Sequence, residues 1–152
     1  MINEKLHVLF HDLTGPVGSI NTLSQICAAY ITKFDPHTLK GKFEKEITST
    51  FKNILSYPNI IIEKLNPAID ALIEINEKDI ALSLKRDVVL EVERIKKREE
   101  KARLLFKRLA ESDTKENLTA FAEEVAGFKQ ECGVLATIIQ SCKDKLVAVG
   151  KY

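Results

Sequence analysis

The sequence is poor in the residues typical of β-rich, disulfide-rich or membrane proteins. It has no Trp and only six Gly, four Pro and three Cys among 152 residues. No apolar run reaches the about 18 residues that a transmembrane helix needs, and the charged first twenty residues lack the pattern of a signal peptide. With 23 basic and 22 acidic residues the net charge is +1, so no overall field attracts nucleic acid or an anionic membrane. We therefore expect a cytoplasmic protein that binds neither.

The three cysteines are predicted to be reduced. Cys27, Cys132 and Cys142 are an odd number, lack a Cys-x-x-Cys spacing and lie within apolar helical patterns. Cysteines of this kind are usually buried thiols of a cytoplasmic protein rather than disulfides or metal ligands. The residues give no reason to expect a metal or another cofactor.

Helix-forming residues make up the rest of the composition. Ala, Leu, Ile, Lys and Glu dominate, and apolar residues recur at three- and four-residue steps along almost the whole chain, which is the spacing of amphipathic helices. We predict an all-α fold in one domain, 1–152: an elongated antiparallel bundle of four to five helices. A helical hairpin over about 1–57 would be followed by further long helices over about 59–149.

The breaks between these helices are predicted from turn and capping residues. Asp35-Pro36 ends the first helix, about 2–33, because the residue before a proline avoids helical geometry. The second helix covers about 38–56 and stops at the turn Ser56-Tyr-Pro-Asn59. The segment 59–67 favours a short helix or a helix start, although its isoleucine run also fits a strand.

The second half is predicted as two long helices. Asn66 before Pro67 is typical of an N-cap followed by the first helical position, so a third helix should run from there to about Ser112, with a local interruption at Asn76. The last helix is predicted over about 115–148, after a capping signal at 113–116 and before Gly150.

One charge-rich stretch of the third helix permits two interpretations. Residues 96–103, Lys-Lys-Arg-Glu-Glu-Lys-Ala-Arg, place opposite charges three or four positions apart, which is typical of a solvated helix face. A docking patch for an acidic partner is the alternative.

The first helix contains an unusual face around His11. His11 falls just off the apolar stripe, and large side chains are missing among the positions that share its face: Glu4, His7, Thr14, Gly15, Gly18, Thr22 and Gln25. Two glycines and Pro16 within one helix cost on the order of 1 kcal/mol for each Gly and 3 kcal/mol for the Pro. A bent helix with a bare patch, open to another macromolecule near the imidazole, would explain why this cost is tolerated.

The residues from Phe10 to Ile20, Phe-His-Asp-Leu-x-x-Pro-Val-x-x-Ile, resemble the H box of sensor histidine kinases. In that family a helix of the dimerisation and phosphotransfer domain holds the phospho-accepting histidine, which His11 matches. Asp12 matches the acidic neighbour that helps the imidazole act as a nucleophile, and Pro16 matches the proline that bends the helix. The resemblance covers about a dozen residues.

The resemblance implies a phosphoryl carrier rather than a complete kinase. No nucleotide-binding box is found after the H box, so the chain should not phosphorylate itself from ATP. Gly15 replaces the family's polar residue four positions after the histidine, so the likeness does not extend to phosphatase activity. Transfer between His11 and a receiver-domain aspartate is the expected reaction, with Thr14, Gly15, Gly18 and Thr22 as docking surface and the divalent metal on the receiver. The kinase family also implies a homodimer through helices 1 and 2.

A second candidate acceptor follows the first helix. His37-Thr-Leu-Lys-Gly41 is similar to the His-x-Leu-Lys-Gly core of histidine-containing phosphotransfer domains, in which Lys40 would lie near the phosphoryl group. Pro36 suggests a helix start instead of the mid-helix position that the class requires. The alternative for His37 is a polar connector residue.

Two other functions remain open on the sequence. The bundle could be a non-catalytic adaptor or inhibitor that binds a kinase or receiver through the same surface. It could also be a helical scaffold or secreted effector in which the short match has no functional meaning.

Overall fold

Four long helices make up the described part of the chain. The computed structural model describes residues 3–34 and 40–152. The helices are α1 (Glu4–Thr32), α2 (Lys40–Glu74), α3 (Lys78–Glu111) and α4 (Lys115–Ala148), and no strand occurs within these residues. The all-α prediction is confirmed, with four helices from the predicted range of four to five.

The helices form a closed four-membered bundle. Each packs against the next in chain order and α4 packs back against α1, whereas the backbones of the diagonal helices lie further apart within the described residues. Lys5 at the start of α1 pairs with Glu74 at the end of α2 at 3.0 Å, so these two helices run antiparallel, as short connections require. At 1.5 Å per residue each of the longer helices spans about 50 Å.

The predicted break at 56–59 and the predicted helix start at 66–67 are both wrong. α2 is one continuous helix of 35 residues with Pro58 and Pro67 inside it. An interior proline costs about 3 kcal/mol locally, but the apolar stripe keeps its three- and four-residue steps through both prolines. Buried positions follow that stripe at Ile54, Pro58, Ile61, Leu65, Ala68 and Leu72. Burying this row against the other helices outweighs the local cost, because tertiary packing stabilises helices more than propensity does.

The chain reverses instead at Asn76, which was predicted only as a local interruption. Asn76 has φ of 63°, and asparagine tolerates this left-handed geometry better than most residues. The Glu77 N–H donates to the Leu72 carbonyl at 2.9 Å, which satisfies one of the free carbonyls at the end of α2. The predicted third helix, from about 67 to 112, is therefore divided between α2 and α3.

The last helix lies where it was predicted. The Thr114 hydroxyl accepts a hydrogen bond from the Asn117 N–H at 3.2 Å and so caps α4. Gly150, with φ of 72°, follows the end of the helix. The same left-handed geometry would strain most other residues here.

Aromatic residues close one end of the core. Phe121 of α4 is fully buried, 5.7 Å from Phe51 of α2 and 5.4 Å from Phe106 of α3 between ring centroids. Phe106 in turn lies 5.9 Å from Phe43. At the other end, Tyr152 packs on Phe10 of α1 at 5.8 Å.

Within the described residues, no helix has the length and apolar content needed to cross a membrane.

Candidate functional site around His11

His11 lies in the third turn of α1 with its side chain exposed. Phe10 and Leu13 on either side are fully buried and fix which face of the helix meets the core. Because neighbouring residues point about 100° apart, this packing directs the imidazole outward. Asp12 is also exposed. The sequence prediction that His11 falls off the apolar stripe is confirmed.

α1 continues past Pro16 as one helix. Pro16 is buried and has no N–H to donate to the carbonyl four residues earlier. Two hydroxyl groups bond to neighbouring carbonyls: Thr14 Oγ1 donates to the His11 carbonyl at 2.9 Å, and Ser19 Oγ donates to the Gly15 carbonyl at 3.2 Å. Asn3 caps the start of α1 by accepting from the Leu6 N–H at 3.1 Å.

The surface beyond His11 is bare. Gly15 and Gly18 are exposed, and a Cβ added at either would find no heavy atom within 4 Å outside its own turn of the helix. Thr22 is exposed and Thr14 is half-buried. Neither glycine has a positive φ, so the backbone would accept other residues at both positions. What distinguishes this face is the space above it.

A groove between α1 and α4 begins beside this patch. Its volume is about 390 Å³, and its lining comprises Thr14, Val17, Gly18, Asn21, Lys129, Cys132, Gly133 and Ala136. Two of the predicted docking residues, Thr14 and Gly18, therefore belong to a concave surface, whereas Gly15 and Thr22 lie outside its lining. The groove was not predicted, since the sequence alone does not pair α1 with α4.

His7, one turn before His11, meets the end of the chain. Its Nδ1 lies 3.2 Å from Tyr152 Oη, and the two ring centroids are 5.8 Å apart. This contact occupies His7, so of the two described histidines on this face His11 is the one without such a neighbour in the described part of the chain.

The second candidate motif falls largely outside the described residues. His37 lies outside the described residues, so the choice between His11 and His37 as the acceptor remains a sequence prediction. Lys40 is the first residue of α2.

The three cysteines are buried and free, as predicted. Burial raises the pKa of Cys27 to about 12, and it raises the pKa values of Cys132 and Cys142 to about 11. Thiols of this kind are protonated at neutral pH and are therefore poor nucleophiles. Within residues 3–34 and 40–152, no group of three or more His, Cys, Asp or Glu side chains is placed to hold a metal ion.

A buried ionic cluster between α3 and α4 was missed by the sequence analysis. Arg98 donates to Glu124 at 3.1 Å and to Glu131 at 3.0 Å, and Glu91 of α3 is 1% exposed. We call this cluster the α3–α4 seam; its members are Glu91, Arg94, Arg98, Lys101, Glu124, Gly127 and Glu131.

The charge run 96–103 is correspondingly only in part a solvated face. Glu99 within it is 3% exposed, and Arg98 joins the seam. The signal was present in the spacing, because Glu91 and Glu99 fall on the same three- and four-residue steps as the buried Val88, Val92, Ile95 and Ala102.

Gly127 is needed for the seam to close. A Cβ at this position would overlap the Arg98 guanidinium, whereas one at Gly133 of the same helix would meet nothing within 4 Å. Gly133→Ala should therefore raise the free energy of unfolding by up to about 1 kcal/mol through helix propensity. Gly127→Ala should lower it by about 1–2 kcal/mol, because displaced charge-assisted hydrogen bonds outweigh that gain.

Urea denaturation of both glycine variants at neutral pH tests this difference in sign. A Gly127→Ala protein as stable as Gly133→Ala would mean that the Arg98 guanidinium reaches its partners without passing over the α4 backbone.

No protein-family model matches the chain, and no curated protein or solved structure is significantly similar to it. The function of the chain therefore has to be inferred from its own residues.

Proposed function

We propose that the protein is a histidine phosphotransfer protein of a two-component-type phosphorelay. It accepts a phosphoryl group on His11 and passes it to a receiver-domain aspartate. The observation that supports this best is the exposed imidazole on a helix whose next two turns, at Gly15 and Gly18, have open space above them. The dozen-residue H-box resemblance around His11 gives the chemistry.

The roles follow from what phosphoryl transfer requires. A ring nitrogen of His11 attacks the phosphorus of an acyl phosphate, an N–P bond forms as the P–O bond to the donor carboxylate breaks, and the imidazole releases a proton. In-line positioning and charge neutralisation are most of the catalysis. The receiver supplies the divalent metal, and this chain supplies the nucleophile, the adjacent carboxylate of Asp12 as its acid–base helper, and an unobstructed approach.

The packing of the bundle indicates whether the proposed reaction needs a homodimer. The four helices already bury one another's apolar faces within a single chain. A monomer can therefore present His11, and the homodimer implied by the kinase family is not required for the proposed reaction.

The test is incubation with radiolabelled acetyl phosphate and, separately, with a phosphorylated receiver domain. The expected result is acid-labile label on the protein, complete loss of that label in His11→Gln, and retention of it in His37→Gln and His7→Gln. Circular dichroism of each variant checks that the bundle is intact.

Two other results would redirect the proposal. Label that survives His11→Gln and disappears in His37→Gln would move the acceptor to the second motif. Stable binding of a receiver or kinase without any label would favour the adaptor or inhibitor, for which the groove beside Thr14 and Gly18 is a suitable contact surface.

A further inference from the structure

The α3–α4 seam contains more buried carboxyl groups than buried cations. The side chains of Glu91, Glu124 and Glu131 are 1%, 14% and 15% exposed. Among the cations, Arg98 is 22% exposed, whereas Arg94 and Lys101 reach in from solvent with 64% and 67% of their side chains exposed. Buried charges require paired partners, and one buried guanidinium cannot fully pair three carboxylates.

The imbalance is concentrated on one oxygen of Glu91. Its Oε2 accepts from Arg94 Nη1 at 3.0 Å, but its Oε1 is buried and has no partner among the described donors. On α4, across the seam, Arg98 holds the Glu131 carboxyl, and a hydrogen bond with that carboxyl is among the causes that raise the pKa of Glu91. Two facing carboxyl groups can share a hydrogen bond only if one of them is protonated.

We propose that the α3–α4 seam is a proton-sensitive clasp, in which Glu91 holds a proton that it donates to the Glu131 carboxylate, and which loosens when that proton is lost. Arg98 determines which group keeps the negative charge: it binds Glu131 with two nitrogens, at 3.0 and 3.3 Å. Gly127 lets the guanidinium lie against α4 at that place. The inference is independent of the proposed phosphotransfer function, since all residues of the seam lie on α3 and α4, whereas His11 and the docking residues beside it lie on α1.

The pKa of Glu91 is set by burial and by two charged neighbours, Glu131 and Arg94. Burial first, and then Glu131 of α4, raise the pKa of Glu91 to about 7, against the opposing effect of Arg94. The Glu91 hydrogen bond and Arg98 lower the pKa of Glu131. Among the described residues, no charged group of α1 or α2 contributes to this shift.

The sign of the pH effect follows from linkage. Glu91 has a higher pKa in the folded protein than its ordinary value of 4.5, so the folded state binds more protons between these values. The contribution is fully present below about pH 4.5 and is lost as the pH rises to about 7. In that interval the equilibrium constant for unfolding should increase about tenfold per pH unit from this group.

The experiment is urea denaturation of the full chain at pH 5 to 8, with amide hydrogen exchange of α3 and α4. The pH-dependent loss of stability expected of wild type should disappear in Glu91→Gln, which keeps a donor toward Glu131. Amide protection factors at the seam, which correct for the intrinsic rise of exchange with pH, should fall above pH 7 in wild type and not in Glu91→Gln. Glu93→Gln is the matched control, since Glu93 lies on the same helix with 57% of its side chain exposed; it should follow the wild-type profile.

Glu131→Gln distinguishes a shared proton from simple burial. It should move the wild-type transition to lower pH, because the facing negative charge is removed, and the ¹³C carboxyl resonance of Glu91 should titrate at correspondingly lower pH. A difference between wild type and Glu91→Gln that is constant from pH 5 to 8 overturns the proposal. So does a Glu91 carboxyl titration that Glu131→Gln leaves unchanged.

Discussion

Phe121→Ala is expected to lower the free energy of unfolding by about 4 kcal/mol, within the range measured for buried phenylalanines. Phe121 is fully buried, and its ring contacts both Phe51 of α2 and Phe106 of α3. Alanine would leave a cavity where three helices meet, and rigid neighbouring helices cannot move together to fill it. Thermal and urea unfolding should show a melting temperature lower by about 10 °C.

Leu104→Ala is the control for Phe121→Ala. Leu104 lies on α3 with 57% of its surface exposed, so its loss should change stability by less than about 0.5 kcal/mol. Equal effects of the two variants would show that the start of α4 does not pack against α2 and α3 in solution.

The location of Phe121 in the core was predictable, but its neighbours were not. The spacing of Phe121, Val125, Phe128 and Cys132 predicts one buried face of a helix, and all four are buried. Periodicity does not say which helix covers that face. The contacts with Phe51 and Phe106 depend on how the helices are arranged around the core, which only the structure supplies.

Local rules failed where packing opposed them. Pro58 and Pro67 were predicted to interrupt the chain because proline disfavours helix interiors, yet both lie within α2. The apolar stripe in register on both sides was the better guide, and it was visible in the sequence. The chain in fact reverses at Asn76, and the sequence offers only this one residue to predict the turn. A single asparagine in left-handed geometry is enough to form such a tight connection.

The candidate site also has features that the sequence predicts and features that it does not. Exposure of His11 and the bare face at Gly15 and Gly18 could be predicted, because they depend on the phase of one helix. The groove and the seam could not, because each is formed by two helices that are far apart in sequence. Arg98 pairs with Glu124 and Glu131, and no rule of local spacing joins those positions.

Gly18→Leu is expected to reduce phosphoryl transfer from a phosphorylated receiver about a hundredfold while labelling by acetyl phosphate is unchanged. Position 18 lies seven residues after His11 and therefore on nearly the same face, about 10 Å along the helix. A Cβ there meets no heavy atom within 4 Å and the groove beside it has room for a larger side chain, so the bundle should fold with slightly higher stability. It would, however, hold a docked domain away from the imidazole, and a displacement of about 1 Å can cost a factor of 100 in rate.

Ala29→Leu is the matched control for Gly18→Leu. Ala29 is exposed on α1 and shares the face of His11, but lies about 27 Å further along the helix. Its transfer rate should equal that of wild type. If Gly18→Leu also transfers like wild type, the receiver does not approach across this face. If acetyl phosphate labelling falls together with receiver transfer, the leucine has altered the reactivity of the imidazole and not its accessibility to a partner, since a small phosphodonor needs no docking surface.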